Sequence, residues 1–265
     1  MTLTGAPSSP VYLRTFDITV HPVTSGQIAD IVIDHIRNGR HLWLANHNLH
    51  SVYLWNSNNE FRTQYGSADM WVIDGWPVLA LARRAVGAIT GLAISSAHRV
   101  GSSDWLSDLI ARREPLSIVA IGGTASTARR AAHEVNSTCP WIRWRAYDGF
   151  DFEKQDPLPG ALDLNEALKI SGLVLVGMGM PLQEKWIAKN RNLVKHAVIA
   201  NVGGCIDYIA GEQPLAPRWL GTVGLEWMYR LIRSPKRLGH RYLVEPVHLG
   251  RLVLQRHLRR FRRGW

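Results

Sequence analysis

The stretch L173-V-L-V-G-M-G-M-P-L-Q-E-K-W-I187 decides the fold class. Four apolar residues run without interruption into Gly177 and Gly179. Pro181 then introduces the polar Gln183-Glu184-Lys185, followed by Trp186 and Ile187. A short apolar run bounded by glycine reads as a strand buried on both faces, and the proline with its polar followers reads as a helix start. Glycine at such a strand end lets backbone approach a ligand, while the helix start offers free N–H groups to an anion.

The same unit recurs along the chain. H41-L-W-L-A45 ends in N46-H-N-L-H50, and M70-W-V-I73 stops at Asp74-Gly75 before Trp76-Pro77 opens a helix. L116-S-I-V-A-I121 runs into Gly122-Gly123, W141-I-R-W-R-A-Y147 into Asp148-Gly149, and A197-V-I-A-N-V202 into Gly203-Gly204. Upstream, residues 12–24 are β-prone and Ser25–Arg37 reads as an amphipathic helix. Strands alternating with helices at this spacing predict an α/β fold, a mostly parallel sheet of Rossmann-like strand-helix units. In such sheets ligands gather at the carboxyl ends of the strands.

A chain of 265 residues, 46% apolar and 20% charged, can bury a substantial core. Two cysteines, Cys139 and Cys205, exclude a disulfide scaffold and fit a reducing compartment. The first residues lack a basic region followed by an apolar core, so no signal peptide is expected, and no window is long and apolar enough to span a bilayer.

The charge is distributed unevenly. Residues 228–265 carry eleven Lys/Arg against Glu245 alone, leaving 20 basic and 20 acidic groups in the first 227 residues. The whole net charge of +10 therefore belongs to a C-terminal appendage, which implies an anionic partner. Residues 1–11 read as a loose leader, 12–215 as the α/β core and 216–265 as a basic appendage. Within it, Leu254, Leu258, Phe261 and Trp265 share one helical face, with Arg256, Arg259, Arg260, Arg262 and Arg263 around the rest. A basic amphipathic helix of this kind suits an anionic membrane surface, each basic residue there adding roughly 1 kcal/mol. A helix packed on the core with a solvated basic face is the alternative.

Several strand-end residues carry candidate chemistry. Asp74, flanked by Trp71 and Trp76, is placed to act as a general base, or else to cap the following helix. Asn46 and Asn48 can hold sugar hydroxyls or a nucleobase, or serve as turn residues. His47 and His50 have no third ligand at a metal-binding spacing, and neither a metal nor another cofactor is expected. Gly122-Gly123 and Gly203-Gly204 follow strands as phosphate-cradling loops do, without forming a P-loop. Gly177 and Gly179 lack the rest of a dinucleotide fingerprint.

Taken in order, A68-D-M-W-V-I-D-G75, R99-V-G-S-S-D104, D148-G-F150, V176-G-M-G-M-P-L-Q-E-K-W-I187, N201-V-G-G-C-I-D-Y-I-A-G211 and G224-L-E-W-M-Y-R-L-I-R-S-P-K-R-L238 resemble the WecG/TagA/CpsF glycosyltransferases, glycosyltransferase family 26. The resemblance covers roughly residues 12–245. It implies an inverting, metal-independent transferase that moves N-acetylmannosamine or a related sugar from a UDP donor to a polyprenyl-diphosphate-linked saccharide. Such enzymes serve teichoic acid, capsule and exopolysaccharide synthesis, peripheral on the inner face of the cell membrane, with a C-terminal appendage that helps complete the active site.

Carried over by matched position, Asp74 is the base and Asn48 stands on the family's Asn, while Asn46 replaces its Thr. Gln183 is expected to hydrogen-bond substrate; independently of the resemblance, Gly122, Gly123, Gly179, Gly203 and Gly204 are expected to line its site as glycines that follow strands. Arg230, Arg237 and Arg241 are suited to the departing diphosphate. Leu182, Leu215 and His240 stand where the family usually carries basic residues.

Two other readings remain at this point: a nucleic-acid-binding module with an arginine-rich tail, and a membrane scaffold that binds nucleotide-sugar without turnover. Under the transferase reading the partners are the UDP-sugar, the polyprenyl-linked acceptor and an anionic membrane, with no nucleic acid. Self-association through the apolar face of the tail is a further expectation.

Overall fold

Thr24 begins the first long element by capping α1 (Ser25–Arg37). Its hydroxyl accepts from the Gln27 N–H while the Gln27 side chain takes the Thr24 N–H, a reciprocal box that satisfies two donors at the helix start. The computed structural model describes residues 9–87, 93–150, 162–214, 216–217, 220 and 224–263, without the side chains of Arg237 and residues 256–263. Most of the expected leader, Leu215 and Trp265 lie outside the described residues.

The β-prone segment before α1 forms a small antiparallel hairpin of β1 (Val11–Leu13) and β2 (Ile18–Val20). The main sheet is six-stranded and parallel throughout. Its order is β4 (Met70–Ile73), β3 (Leu42–His47), β8 (Val198–Asn201), β7 (Leu173–Gly177), β5 (Leu116–Gly122), β6 (Ile142–Tyr147). Helices cover both faces. Along β5, Leu116, Ile118 and Ala120 pack with α1, α5 (Ser102–Ala111) and α6 (Ala125–Thr138), while Val119 and Ile121 pack with α3 (Asn59–Tyr65), α7 (Leu164–Lys169) and α8 (Leu182–Asn190). Burial of both faces is why these strands read as continuous apolar runs rather than alternating ones.

Strand β8 enters last and lies between β3 and β7, so the chain's latest strand separates its earliest main-sheet strand from the middle ones. All the polar strand ends named above consequently sit along one edge of the sheet, as the fold class predicts.

β3 is longer than the sequence suggests. It continues through Asn46 and His47, which pair with Val72 and Ile73, so Asn46 is a strand residue and not a turn. Asn48 is the N-cap of α2 (Leu49–Ser57), and its Oδ1 accepts from the N–H groups of His50 and Ser51, each at 3.1 Å.

The appendage consists of Glu226–Arg233, Pro235–Gly239, a π-helical turn over His240–Val244 and the terminal helix Glu245–Arg263. The terminal helix starts nine residues before Leu254, the first residue of the apolar face expected from periodicity. It docks on the core against α2. Leu249 is buried in the cluster that contains Ile73, Val52 of α2 and Val78 of α4 (Trp76–Val86). Burying one leucine contributes about 1.5–3 kcal/mol. The appendage is therefore part of the folded unit.

Candidate active site

Asp74 follows the last residue of β4, and its N–H donates to the His47 carbonyl at 2.9 Å. Gly75 then turns with φ +133°, a conformation that L-residues rarely adopt, and caps α4 without a side-chain hydrogen bond. Asp74 is thereby excluded from capping. Its carboxylate turns to the end of β3 instead, where Oδ2 accepts from Asn46 Nδ2 at 3.2 Å and from Asn48 Nδ2 at 3.3 Å. Burial pushes the Asp74 carboxyl above its ordinary value. The Arg230 guanidinium, the Asn48 amide and Arg241 pull it down, and Glu226 pushes it up. A half-buried carboxylate held by two amides and raised by burial is an arrangement suited to accepting a proton.

Behind this pair stands a buried polar layer. Asn201, ending β8, donates from Nδ2 to Asn46 Oδ1 at 2.8 Å, and its Oδ1 accepts from the Trp43 indole at 3.3 Å. The Tyr65 hydroxyl takes the Asn46 N–H at 3.0 Å and donates to the Asn46 carbonyl. Sequence reasoning missed Trp43, Tyr65 and Asn201 as site residues. The available signal for Asn201 was a carboxamide ending an otherwise apolar strand.

The appendage brings charge to the same place. Arg230 pairs with Glu226 one helical turn earlier, and its guanidinium lies 5.6 Å from the centroid of the Tyr208 ring. Glu226 also faces Arg99 at 3.6 Å, and Arg99 lies over Trp76, 5.6 Å from the ring centroid. Both Arg230 and Arg241 lower the Asp74 carboxyl through their charge, Arg230 the more strongly. The side chain of Arg237 lies outside the described residues.

The glycines divide into two kinds. A Cβ at Gly122 would lie 2.7 Å from the Gly177 carbonyl oxygen, and one at Gly177 would lie 2.6 Å from that of Gly203. Gly122 is thus a packing residue where neighbouring strand ends meet, and Gly123 is pressed against Thr127. Gly179 and Gly203 have left-handed backbones and no described atom within 4 Å of a Cβ, while a Cβ at Gly204 meets only Asp207 Oδ2, at 3.7 Å. These three leave backbone open at the strand ends.

Gln183 points inward. It is 1% exposed, and its Nε2 donates to Glu184 Oε1 at 2.7 Å, while Gln183 Oε1 and Glu184 Oε2 are buried without a partner among the described residues. Desolvation pushes the Glu184 carboxyl up to about 7. His47 is likewise interior, with rings of Trp55, Tyr65 and Trp71 around it and Nδ1 at 3.2 Å from Ser51 Oγ. Burial lowers its pKa to about 3, so it is a neutral core residue.

The profile of the Glycosyl transferase WecG/TagA/CpsF family matches residues 13–263. The chain belongs to this family. It is also similar to two proteins named N-acetylglucosaminyldiphosphoundecaprenol N-acetyl-beta-D-mannosaminyltransferase, from Staphylococcus aureus strains MRSA252 and NCTC 8325 / PS 47. Identity to each is 26% over 145 residues, which is 54% of this chain and 56% of the relative. The match thus spans a little over half the length of those relatives. For a WecG/TagA/CpsF family member, the end of β3, the Asp74 turn and the appendage arginines form the candidate active site.

Proposed function

We propose that the protein is an inverting glycosyltransferase that moves an N-acetylmannosamine-like sugar from UDP to a polyprenyl-diphosphate-linked saccharide. The observation that carries this reading is the carboxylate of Asp74 under two amides at a strand end, with Arg230 and Arg241 acting on its charge. Asp74 takes the proton of the acceptor hydroxyl as the acceptor oxygen bonds to the anomeric carbon. The bond from that carbon to the UDP oxygen breaks on the opposite face, and its electron pair leaves with UDP. Arginines offset the charge that develops on the leaving diphosphate, and the open backbone at Gly179, Gly203 and Gly204 borders the donor.

The acceptor class rests on the names of the staphylococcal relatives, which include an undecaprenol-linked diphosphate. A lipid-held acceptor requires the enzyme to work at a membrane. No described helix is long and apolar enough to cross one. The appendage instead exposes Trp227, Met228, Ile232, Leu243, Val247 and Leu254 among basic residues, which supports peripheral attachment to an anionic surface at the inner membrane face.

The test is transfer from labelled UDP-N-acetylmannosamine to a short-chain polyprenyl-diphosphate N-acetylglucosamine, with the product's anomeric configuration read by NMR. Transfer with inversion, reduced about 10²–10⁴-fold by Asp74→Asn in a folded protein, is expected. Binding of UDP without transfer to this or a related lipid-linked acceptor would reduce the protein to a scaffold.

A further inference from the structure

Asp74 meets its two amides through the same oxygen, Oδ2, and both contacts come from Nδ2 atoms. A carboxamide presents nearly the same shape when its oxygen and nitrogen are exchanged, so something must keep the nitrogens toward the carboxylate. For Asn48 the helix does this, because two backbone N–H groups claim its Oδ1. Asn46 has no such cap. Its Oδ1 is claimed by Asn201 Nδ2 at 2.8 Å.

Asn201 in turn has its polarity set from behind. The Trp43 indole N–H can only donate, and it meets Asn201 Oδ1, so Asn201 Nδ2 is committed to the other side. The Tyr65 hydroxyl fixes the Asn46 backbone at the same point: its proton goes to the Asn46 carbonyl and its oxygen accepts from the Asn46 N–H. A single donor-only group thus fixes the direction of a buried chain: Trp43 to Asn201, Asn201 to Asn46, Asn46 to Asp74. All three residues behind the carboxylate are buried.

We infer that Asn201 is a positioning residue for Asp74, holding the Asn46 amide so that its N–H groups face Oδ2 and Oδ1 is left to receive the proton. Among the described residues the side-chain hydrogen bonds to Asp74 go to Oδ2 and none goes to Oδ1. The catalytic meaning of the chain rests on Asp74 acting as the base, but its existence does not, and the two can be tested apart.

The experiment follows the Asp74 carboxyl carbon by NMR titration in the full-length protein, assigned with Asp74→Asn, and needs no sugar transfer. Asn201→Leu and Asn46→Ala are compared singly and together. Arg230, Arg241, Glu226 and Asn48, which also act on the Asp74 charge, are unchanged in every variant. Loss of one amide donor to the ionised form raises the Asp74 midpoint, by about 0.5–1 pH unit for a hydrogen bond of ordinary strength. Both single variants are expected to show that rise, and the double variant no more than Asn46→Ala alone. An unmoved midpoint in Asn201→Leu overturns the inference, as does a full additional shift in the Asn46→Ala background. If Asn201→Leu fails to fold, Trp43→Phe removes the indole donor while keeping an aromatic ring. A rise in the same direction supports the chain, and an unchanged midpoint refutes it.

Discussion

His50 Nδ1 and Glu245 Oε2 lie 2.6 Å apart although 195 positions separate them in the chain. His50 is two residues beyond Asn48, which touches Asp74, and Glu245 is the first residue of the terminal helix. His240 approaches the same carboxylate at 3.5 Å. The pair therefore ties the appendage to the helix that begins at the candidate site.

Replacing Glu245 with Ala is expected to weaken this docking by about 2 kcal/mol, the range for a buried hydrogen bond to a charged group. Hydrogen exchange should show lost protection over residues 226–253 before the sheet opens. Burial, then Arg241, holds the His50 pKa below its ordinary value of 6.5, against the pull of Glu245. The unfolded chain therefore takes up the proton first as pH falls through 6.5, and docking weakens on that side. Equal protection in Glu245→Ala and the parent protein at pH 7 would show that the contact holds nothing in place.

Glu184 offers a second pH dependence. Its carboxyl is pushed up to about 7 by desolvation from an ordinary value of 4.5, so between these values the folded state binds more protons than the unfolded one. Stability from this group is present below 4.5 and lost as pH rises through 7, amounting to at most about 3 kcal/mol. Glu184→Gln should flatten this part of the stability profile and raise Tm at pH 8 relative to the parent. A parent protein whose urea midpoint does not fall between pH 5 and pH 8 more than that of Glu184→Gln contradicts the assignment.

Arg230 pulls the Asp74 carboxyl down, and the proposed mechanism also assigns it to the leaving diphosphate. Arg230→Gln should therefore shift the acid limb of the kcat/KM profile to higher pH, because the base then ionises later. It should also cost about 10²-fold in rate if the cation stabilises the transition state. The two effects separate: a moved limb with an unchanged plateau keeps Arg230 near Asp74 and removes it from the leaving group.

Leu243, Val247 and Leu254 are more than half exposed on the appendage, with Arg251 on the same helix as the last two. Aspartate at Leu243 and Leu254 together should abolish flotation with vesicles of anionic phospholipid while leaving Tm nearly unchanged, since exposed positions tolerate substitution within about 0.5 kcal/mol. Raising salt should weaken the parent's binding as its basic residues are screened. Flotation that survives both treatments assigns attachment to another surface.

The strands and helices were legible because each is decided within its own few residues. L173-V-L-V176 is apolar at every position, as both sheet faces are buried, and Thr24 with Gln27 marks the start of α1 through a local hydrogen-bond pair. The basic excess after residue 228 was equally plain, and so was Asp74 as a strand-end carboxylate. The surroundings of Asp74 were not. Asn46 reads as a turn residue until β4 pairs beside it, and the buried Gln183–Glu184 contact has no signature in the residue pattern. Asn201 reaches Asn46 across 155 positions only because β8 inserts next to β3, and Glu245 reaches His50 only because the terminal helix packs on α2. Residue pattern specifies what each segment buries; strand order and helix docking specify which polar groups are then shut in together, and no short-range pattern carries that information.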